Sequence, residues 1–342
     1  MDNKTNYNLV VFRKKIIFFF LIATVIISFI TDISTGPAQL SLMDVIRSLL
    51  NPDSIDKKTN IIVWIIRLPI ATMAVLVGAC LAIAGMEMQT ILNNSLASPY
   101  TLGISSAASF GASLSLVFGN SLLPAAYQNF LTPIFAFVFS LGSSLLVYSI
   151  AKIRKDKVTI ILMGIAVGFL FSALNSILTY FVRDEVLRGI TNWAQGSILG
   201  ATWQQNMIIF TVALLIVPLI VKDSWKLTAL SMGDDSARSL GIRVDRLRTK
   251  ILALTAIITS VAVCFVGTVG FIGLVAPYIA KALVGEEQRF YIPVSLLTGS
   301  LMLSVSSILS KTIIPGGQIP LGIITSIIGI PFLIMLVLKQ GR

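Results

Sequence analysis

Long apolar runs, separated by short polar stretches, constrain this chain more than any other feature. Residues 16–30, 158–181 and 251–269 form three such runs, and none of them contains Asp, Glu, Lys or Arg. A helix needs about 20 predominantly apolar residues to cross the hydrocarbon core, whereas a membrane barrel shows strands of about ten residues with alternating polarity. Only 12% of the residues are charged, about half the share usual in soluble domains. We therefore predict an all-α, polytopic membrane protein.

Read in order, the apolar runs predict about ten membrane-spanning helices in a single domain, residues 1–342. The chain divides into a first half, about 14–182, and a second half, about 206–338. A short helix over 40–50, capped by Ser41 and Asp44, is expected at the outer interface. The predicted spans are 16–30, 61–89, a small-residue helix within 91–119, 133–151, 158–181, 207–221, 251–269, a short helix broken near Pro277, 292–314 and 323–338.

Basic residues are distributed unevenly between the two sides of this predicted bundle. Such asymmetry sets the orientation of a membrane protein, with the basic side in the cytoplasm. Both termini are therefore predicted to be cytoplasmic, and the net charge of +11 reflects topology and not contact with nucleic acid. Of 26 lysines and arginines, the seven assigned to the outer side are Arg47, Lys57, Lys58, Arg67, Arg183, Arg188 and Lys311.

The inventory of reactive side chains excludes several kinds of chemistry. The chain has no histidine, and therefore neither an imidazole relay nor a Ser–His catalytic pair. Its two cysteines, Cys80 and Cys264, lie in apolar runs and are predicted to pack as small hydrophobic residues. Glu87 follows Arg67 by 20 residues, about 30 Å along a helix, and is predicted to reach the inner interface. No metal site and no bound cofactor are predicted.

The polar stretch 222–250 interrupts the second half of the chain. Asp234 and Asp235 are predicted to cap a short helix that runs to Leu240, and Gly241 supplies the left-handed position that ends it. Such a compact helix between two spans is suited to contact with a soluble partner. The alternative is an ordinary cytoplasmic loop that is basic because of membrane topology.

A polar turn rich in proline and glycine follows the second span. Irregular backbone at membrane depth is tolerated only where protein or a water-filled cavity covers it, so the turn is a candidate for part of a transport pathway, although a plain connecting loop would also fit. The candidate pathway residues are Gln89, Asn94, Pro99 and Gly103. The order Pro, Leu-Gly-Ile, hydroxyl residues recurs in 99–106 and 320–326, after spans of opposite direction, which suggests an inverted repeat.

Several motifs resemble one family. RLPIATMAVLVGACLAIAGMEMQTILNNSLASPYTLGISSAASFGA, NWAQGSILGATW, SMGDDSARSLGI, GFIGLVAPYIAKALVGEEQR and IPLGIITSIIGIPFLIMLV stand in the order and spacing of the permease subunits of bacterial ABC importers for iron–siderophore complexes, haem and cobalamin. The resemblance covers about residues 60–340. It implies a ten-helix, type II importer permease fold that dimerises with a second copy or a sister permease, with a periplasmic or lipoprotein binding protein docked outside.

The resemblance also implies that two ATPase subunits dock inside, on residues 231–241. The chain itself has no G-x-x-x-x-G-K-[ST] sequence, so ATP and Mg²⁺ are expected on the partner and this chain is expected not to be an enzyme. The residues implied to contact the ATPase are Met232, Gly233, Asp234, Asp235, Ala237, Arg238, Leu240 and Gly241.

Arg67 and Lys311 match the positions at which the family presents cations to its binding protein. The resemblance therefore implies a docking role for both, and the alternative is that they only extend to the membrane interface. Ile70 stands where the family has a second outer arginine, and Ser307 where it usually has an aspartate.

These observations predict a permease that carries a ferric siderophore across the cytoplasmic (inner) membrane of a bacterium, powered by ATP on its partner. The alternatives are a cobalamin or haem permease and, in another class, an ion-driven secondary transporter. The last would need paired ionisable residues at midspan, and the sequence offers essentially none.

Overall fold

The computed structural model describes residues 3–38, 40–51, 55–122, 128–153, 157–314 and 317–340. All regular structure within these ranges is helical, which confirms the all-α prediction. The helices are α1 (Asn3–Ser34), α2 (Leu42–Leu50), α3 (Lys57–Ile61), α4 (Leu68–Leu92), α5 (Ile104–Leu122), α6 (Gln128–Ile153), α7 (Lys157–Tyr180), α8 (Asp184–Ala194), α9 (Trp203–Val221), α10 (Ser224–Ser231), α11 (Asp234–Ser239), α12 (Val244–Val266), α13 (Ile272–Val284), α14 (Gln288–Thr312) and α15 (Leu321–Gln340).

Seven helical segments in the described ranges are long and apolar enough to cross a membrane, and three further apolar helices are shorter. Each of the ten falls on one predicted span, but the break predicted near Pro277 is wrong, because α13 runs through this proline without interruption. The count of ten is therefore approximate, because seven of the ten segments meet the length and composition of a membrane span within the described residues. The seven are Asn8–Ser34, Lys57–Leu92, Phe130–Ile150, Lys157–Tyr180, Trp203–Val221, Val244–Val266 and Gln288–Thr312, and the shorter three are Ile104–Gly119, Ile272–Val284 and Leu321–Met335.

Helix α4 lies at the centre of the bundle, and almost all of its residues are buried. It packs against α14, α12 and α13. Small residues permit this close packing: Gly78 lies against Gly299, and Gly85 lies against Gly273, with no room for a Cβ at either contact. The hydroxyl of Ser300 on α14 donates a 2.9 Å hydrogen bond to the carbonyl of Val75.

The second span differs from the prediction at its outer end. It begins at Lys57 instead of residue 61, and Ile62–Arg67 is a π-helical segment that joins α3 to α4 without interruption. The N–H of Leu68, the next residue, bonds to the carbonyl of Val63, five residues earlier. Pro69 comes after Leu68 and has no N–H to donate to a regular α-helical hydrogen bond. This shift rotates the outer turns relative to the rest of the span.

The polar stretch 222–250 is more ordered than predicted. It contains α10, α11 and the first two turns of α12, so the seventh span begins at Val244 and not at residue 251. Val244, Leu247 and Ile251 are buried and share one helix face at i, i+3 and i+7, which carries the helix into the predicted loop. At the outer side, the capping prediction for α2 is confirmed, since the Ser41 hydroxyl accepts from the Asp44 N–H at 3.1 Å.

The prediction that Glu87 reaches the inner interface stays a prediction, but the side chain is not open to solvent there. Its side chain is fully buried, and neither carboxylate oxygen has a hydrogen-bond partner among the described residues. The reason is that α10, α13 and α14 all pack against α4, so its inner turns are enclosed by protein.

Candidate coupling site and transport pathway

Helix α11 is a separate six-residue helix between α10 and α12. Two hydrogen bonds end it, from Gly241 N to the Arg238 carbonyl at 2.9 Å and from Ile242 N to the Ala237 carbonyl at 3.1 Å. This pair is the Schellman motif, which needs a left-handed residue, and Gly241 has φ of +78°. The prediction that Gly241 ends this helix is therefore confirmed. The predicted cap is wrong: the N-cap residue is Gly233, and no side chain bonds the first amides.

One side of α11 is open to solvent and carries both apolar and charged groups. Met232 is 73% exposed and Leu240 is 61% exposed, and these two side chains flank the exposed Asp235 and Arg238. Ala237, on the opposite side, is fully buried and anchors the helix to the bundle. Exposed methionine and leucine next to charges form a surface suited to a soluble protein partner. The ATPase contact of these residues stays a prediction.

Asp234, the first residue of α11, holds the helix to two other elements. One oxygen bonds the ammonium of Lys157, at the start of α7, at 2.8 Å. Arg248 on α12 donates from one nitrogen, Nη2, to both carboxylate oxygens, at 3.1 and 2.9 Å. Burial raises the pKa of Asp234, but the hydrogen bonds from Lys157 and Arg248 outweigh it and hold the pKa below its usual 3.8. The carboxylate is therefore ionised and paired at neutral pH.

A second carboxylate, Asp223, ties α10 to α12 nearby. It accepts from Lys226 and from Lys250, both at 2.6 Å. Burial raises its pKa, and the two lysine hydrogen bonds reverse the shift, so the pKa lies below the usual value. Sequence reasoning assigned no role to Asp223 or to the buried Arg248, because both stand in a stretch that was predicted to be largely a loop, where charges are common.

The polar turn after α4 does not remain at the inner end of the bundle. Asn93 takes a left-handed conformation, φ +48°, and directs the chain back along α4. Pro99 reaches Gly273, which itself lies against Gly85. Gly85 precedes the end of α4 by seven residues, so the turn climbs about 10 Å into the bundle. The prediction of irregular backbone at membrane depth is consistent with this geometry.

The structure separates the four predicted pathway residues into two pairs. Gln89 and Asn94 line a cavity of about 210 Å³ at the inner end, together with Ser231 at the end of α10. Pro99 and Gly103 are buried in contacts between helices. Gly103 has φ of +77° and touches the α7 backbone so closely that a Cβ would have no room. The pathway role of all four stays a prediction.

Three segments that contain helix ends and irregular backbone meet within the bundle, and we call them the junction: 194–197, 266–271 and 320–323. Backbone bonds join them, from Ser197 N to Val266 O at 2.8 Å and from Gly322 N to Gln195 O at 2.8 Å. A cavity of about 390 Å³ opens beside the junction. Its lining includes Tyr100, Gln195, Thr268, Phe271, Ser326 and Ile327.

The repeated Leu-Gly-Ile sequence marks the start of a helix in both places. α5 begins at Ile104 and α15 begins at Leu321, and the glycine of each copy, Gly103 or Gly322, is enclosed by neighbouring backbone. The internal duplication stays a prediction. The second copy of the repeat is nevertheless part of the junction, and two of the family motifs, NWAQGSILGATW and GFIGLVAPYIAKALVGEEQR, overlap its other two segments.

At the outer end, Arg67 and Lys311 lie close together but are not presented to solvent. Arg67 is 4% exposed and donates to the carbonyls of Ile33 and Ser34 at 2.9 and 2.8 Å. Lys311 bonds Asp32 of α1 at 2.7 Å, and Asp32 is fully buried. Both cations are therefore engaged within the chain. Their docking role stays a prediction, which this geometry does not favour.

Asp32 is a residue that sequence reasoning missed. The Ser307 hydroxyl donates to it at 2.8 Å, so the carboxylate on α1 faces the position where the family usually has its own aspartate. The available signal was that Ser307 replaces the family's aspartate while the nearby cation, Lys311, is retained. A buried Lys311 needs a carboxylate from elsewhere in the chain, and Asp32 in the last turn of α1 supplies it.

The model of the FecCD transport family matches residues 23–339. The chain is 32% identical to the hemin transport system permease protein HmuU of Yersinia pestis over 325 residues, covering 94% of this chain and 95% of the relative. It is 33% identical to the vitamin B12 import system permease protein BtuC of Vibrio cholerae over 280 residues, covering 82% and 83%. A solved structure, an inward-facing conformation of a metal-chelate type ABC transporter, matches with a TM-score of 0.82 and 28% identity, covering 94% of this chain and 99% of that one.

Proposed function

The chain belongs to the FecCD transport family and is an ABC importer permease, and from that premise we propose that it carries a ferric siderophore across the cytoplasmic membrane of a bacterium. In this proposal two ATPase subunits bind the inner surface and a binding protein delivers the substrate outside. A second permease, identical or a sister chain, completes the pathway. Both termini of this chain lie in the cytoplasm.

The observation that carries the proposal is the exposed side of α11. A six-residue helix with Met232 and Leu240 in solvent has no evident purpose in an isolated membrane chain, since exposed large apolar side chains outside the bilayer cost hydration free energy. A soluble subunit that covers them recovers that free energy. Asp235 and Arg238 would then fix the register of the contact, because complementary charges set orientation more than affinity.

The junction cavity is proposed as this chain's half of the transport pathway. It is bounded by irregular backbone, which is tolerated in a membrane where it lines a cavity. The adjoining face of α15 leaves Ile327, Ile330 and Ile334 about half exposed, which suits either lipid or a second permease. With a second permease on that face, the two junction cavities would form the two walls of one pathway.

A metal chelate is the substrate class that the similar proteins favour. The names of the relatives specify hemin and vitamin B12, and the solved structure is of a metal-chelate type transporter. A haem or cobalamin substrate is therefore the second candidate. The absence of histidine from the 342 residues favours the siderophore over haem, because the pathway offers no imidazole to ligate the iron.

The test is charge reversal on α11, Asp235→Arg combined with Arg238→Glu. We expect the ATPase subunits to co-purify at a strongly reduced level, and uptake to fall in proportion, because both rim charges then oppose their partners. Uptake is measured in a strain that lacks the native permease, with radiolabelled ferric siderophore, haemin and cobalamin offered separately. The substrate that enters decides between the two candidates.

The matched control reverses Glu185→Arg and Arg188→Glu on α8. These residues are also exposed and also three positions apart, but the predicted topology puts them on the outer side. ATPase retention should be unchanged in this variant. Unaltered ATPase binding and uptake after the α11 reversal would contradict the proposed contact.

A further inference from the structure

Arg248 connects two elements that are distant in sequence. Its side chain is 4% exposed and donates from Nε to the carbonyl of Ile91 at 2.9 Å, in the last turn of α4. Its Nη2 reaches both oxygens of Asp234, the first residue of α11. One guanidinium therefore bonds the end of the central helix and the start of the exposed short helix at the same time. Lysine, with one ammonium on a flexible stem, does not reproduce this geometry.

The turn 93–103 begins immediately after the carbonyl that Arg248 binds. Asn93, Asn94 and Ser95 of this turn line the inner cavity of about 210 Å³, and Ser231 lines the same cavity from the side of α10. Further along, Tyr100 lines the junction cavity of about 390 Å³. The turn therefore forms part of the wall of both cavities, and a shift at its first residues would change the shape of the wall.

Lys157, the second cation on Asp234, begins the helix that holds the other end of this turn. It is the first residue of α7, and it bonds Asp234 at 2.8 Å. Seven and eleven residues further along α7, Gly164 and Gly168 pack against Leu102 and Gly103. Through its two cations, Asp234 is thus connected to the element before the turn and to the element that packs against its end.

These contacts make a mechanical connection because the groups are hard to separate. Arg248 is buried, and its charge is balanced mainly by Asp234, with Asp245 at 3.9 Å. Withdrawing the carboxylate would leave a buried cation without its principal partner, which is strongly unfavourable. A displacement of α11 is therefore followed more readily by movement of α4 and α7 than by rupture of the ion pairs.

We propose that Arg248 is a positioning residue of transport, which together with Lys157 and Asp234 transmits movement of α11 to the turn 93–103 in the pathway wall. This inference rests on the proposed function, in which the ATPase moves α11. It adds the route by which that movement reaches the pathway: from Asp234 to Arg248 and Ile91 at one end of the turn, and to Lys157 and α7 at the other.

The test uses the complete complex with its ATPase subunits, and ATP with Mg²⁺ is the probe. Hydrogen exchange of the backbone amides of 93–103 is compared without nucleotide and in the ATP-bound state. In the wild type we expect the nucleotide to change exchange by roughly fivefold or more, the lower range of coupling between sites. In Arg248→Lys this nucleotide-dependent difference should fall below about twofold, while the basal ATPase rate of the complex is retained.

The comparison of the two nucleotide states separates transmission from stability. If Arg248 only stabilised the fold, exchange in Arg248→Lys would rise equally in both states, and the difference would persist. That result would overturn the proposal. Should Arg248→Lys fail to assemble, Lys157→Met breaks the second connection at a side chain that is 27% exposed, and it should reduce the nucleotide-dependent difference at the α7 end of the turn.

The matched control is Asp223→Asn. This substitution breaks a carboxylate with two lysine partners at the same end of the bundle, but Asp223 connects α10 with α12 and bonds neither α4 nor α7. The nucleotide response of the turn should be retained, and an equal loss in this variant would overturn the assignment to Arg248. Failure of the proposed function would look different, because the ATPase would not bind. A wild-type turn that does not respond to nucleotide in an assembled complex would overturn the transmission route and leave the proposed function intact.

Discussion

The two ends of the bundle each hold a carboxylate next to cations, but they differ in the element that carries it. At the inner end, Asp234 is the first residue of a six-residue helix, its side chain is 23% exposed, and both oxygens are bonded. At the outer end, Asp32 lies in the last turn of the 32-residue α1 and is fully buried, and its Oδ2 has no hydrogen-bond partner in the part of the chain that the structure describes. A short, partly solvated helix can be displaced as a unit, whereas the outer cluster cannot open without exposing buried charge to an apolar environment.

The outer cluster joins three elements into a fixed end. Asp32 of α1 binds Lys311 of α14, and Arg67 of the π-helical segment donates to the carbonyls of Ile33, Ser34 and Ala38. The guanidinium thus neutralises the negative C-terminal end of α1. If the ATPase moves α11 as proposed, this fixed outer end would favour bending of the irregular segments between the two ends.

The largest effect is expected from Asp32→Ala. The substitution leaves Lys311, whose side chain is 6% exposed, as a buried cation without a counter-charge. Loss of one partner from a buried pair typically costs about 3–5 kcal/mol, and we expect the unfolding free energy to fall by that amount. Thermal unfolding in lipid nanodiscs measures it. The double variant Asp32→Ala with Lys311→Met should recover much of the loss, since the lysine charge that had lost its partner is then removed, although Arg67 also loses a nearby carboxylate.

The control for this prediction is Glu286→Gln, which breaks the exposed pair between Lys281 and Glu286. Both side chains are more than 40% exposed, so water screens the pair and the change should stay below about 1 kcal/mol. A similar small effect for Asp32→Ala would show that the outer cluster is hydrated and not rigid, and the contrast between the two ends would disappear.

A smaller, pH-dependent effect is expected at the inner end. Because the pKa of Asp234 is lowered, its ion pairs contribute stability that is fully present above the unfolded value of 3.8 and is lost as pH falls through the lower, folded value. Asp234→Asn should cost about 1.5–3 kcal/mol at pH 7 and the same at pH 5, with a declining cost only below 3.8. Thermal unfolding of the wild type and the variant across this range measures it. A cost that already declines at pH 6 would mean that the carboxylate is not paired as described.

The bundle was predictable from sequence because apolar length is a local property. The spans, the helical stop at Gly241 and the irregular turn before Gly103 all follow from residues that are neighbours in sequence. The ion pairs were not predictable in this way. Asp32 and Ser307 are 275 residues apart, and Arg248 lies 157 residues from the Ile91 carbonyl.

The same limit explains the interpretation of Arg67 and Lys311. Their positions in the sequence placed both residues on the outer side of the bundle, and the family resemblance implied that they contact the binding protein. Whether a cation faces solvent or the interior depends on which other helix supplies a carboxylate or a free carbonyl to bond it. A single sequence does not show which helices pack together, and therefore does not identify that partner. Glu87 is the reverse case, since its depth was judged from helix length alone while neighbouring helices decide its burial.

The smallest effect is expected from Glu87→Gln, in the last two turns of α4. Glu87 is as buried as Asp32 but has no cation beside it and no hydrogen bond among the described residues. Burial of an unpaired charge is costly, so a neutral amide of the same size should be tolerated within about 1 kcal/mol, or should stabilise the fold. Glu87→Ala, measured in the same unfolding experiment, separates packing from charge, because the cavity it leaves should cost about 2 kcal/mol or more. If Glu87→Gln instead costs as much as Asp32→Ala, Glu87 is ionised and paired, and pairing would no longer distinguish the buried carboxylate of α4 from that of the outer cluster.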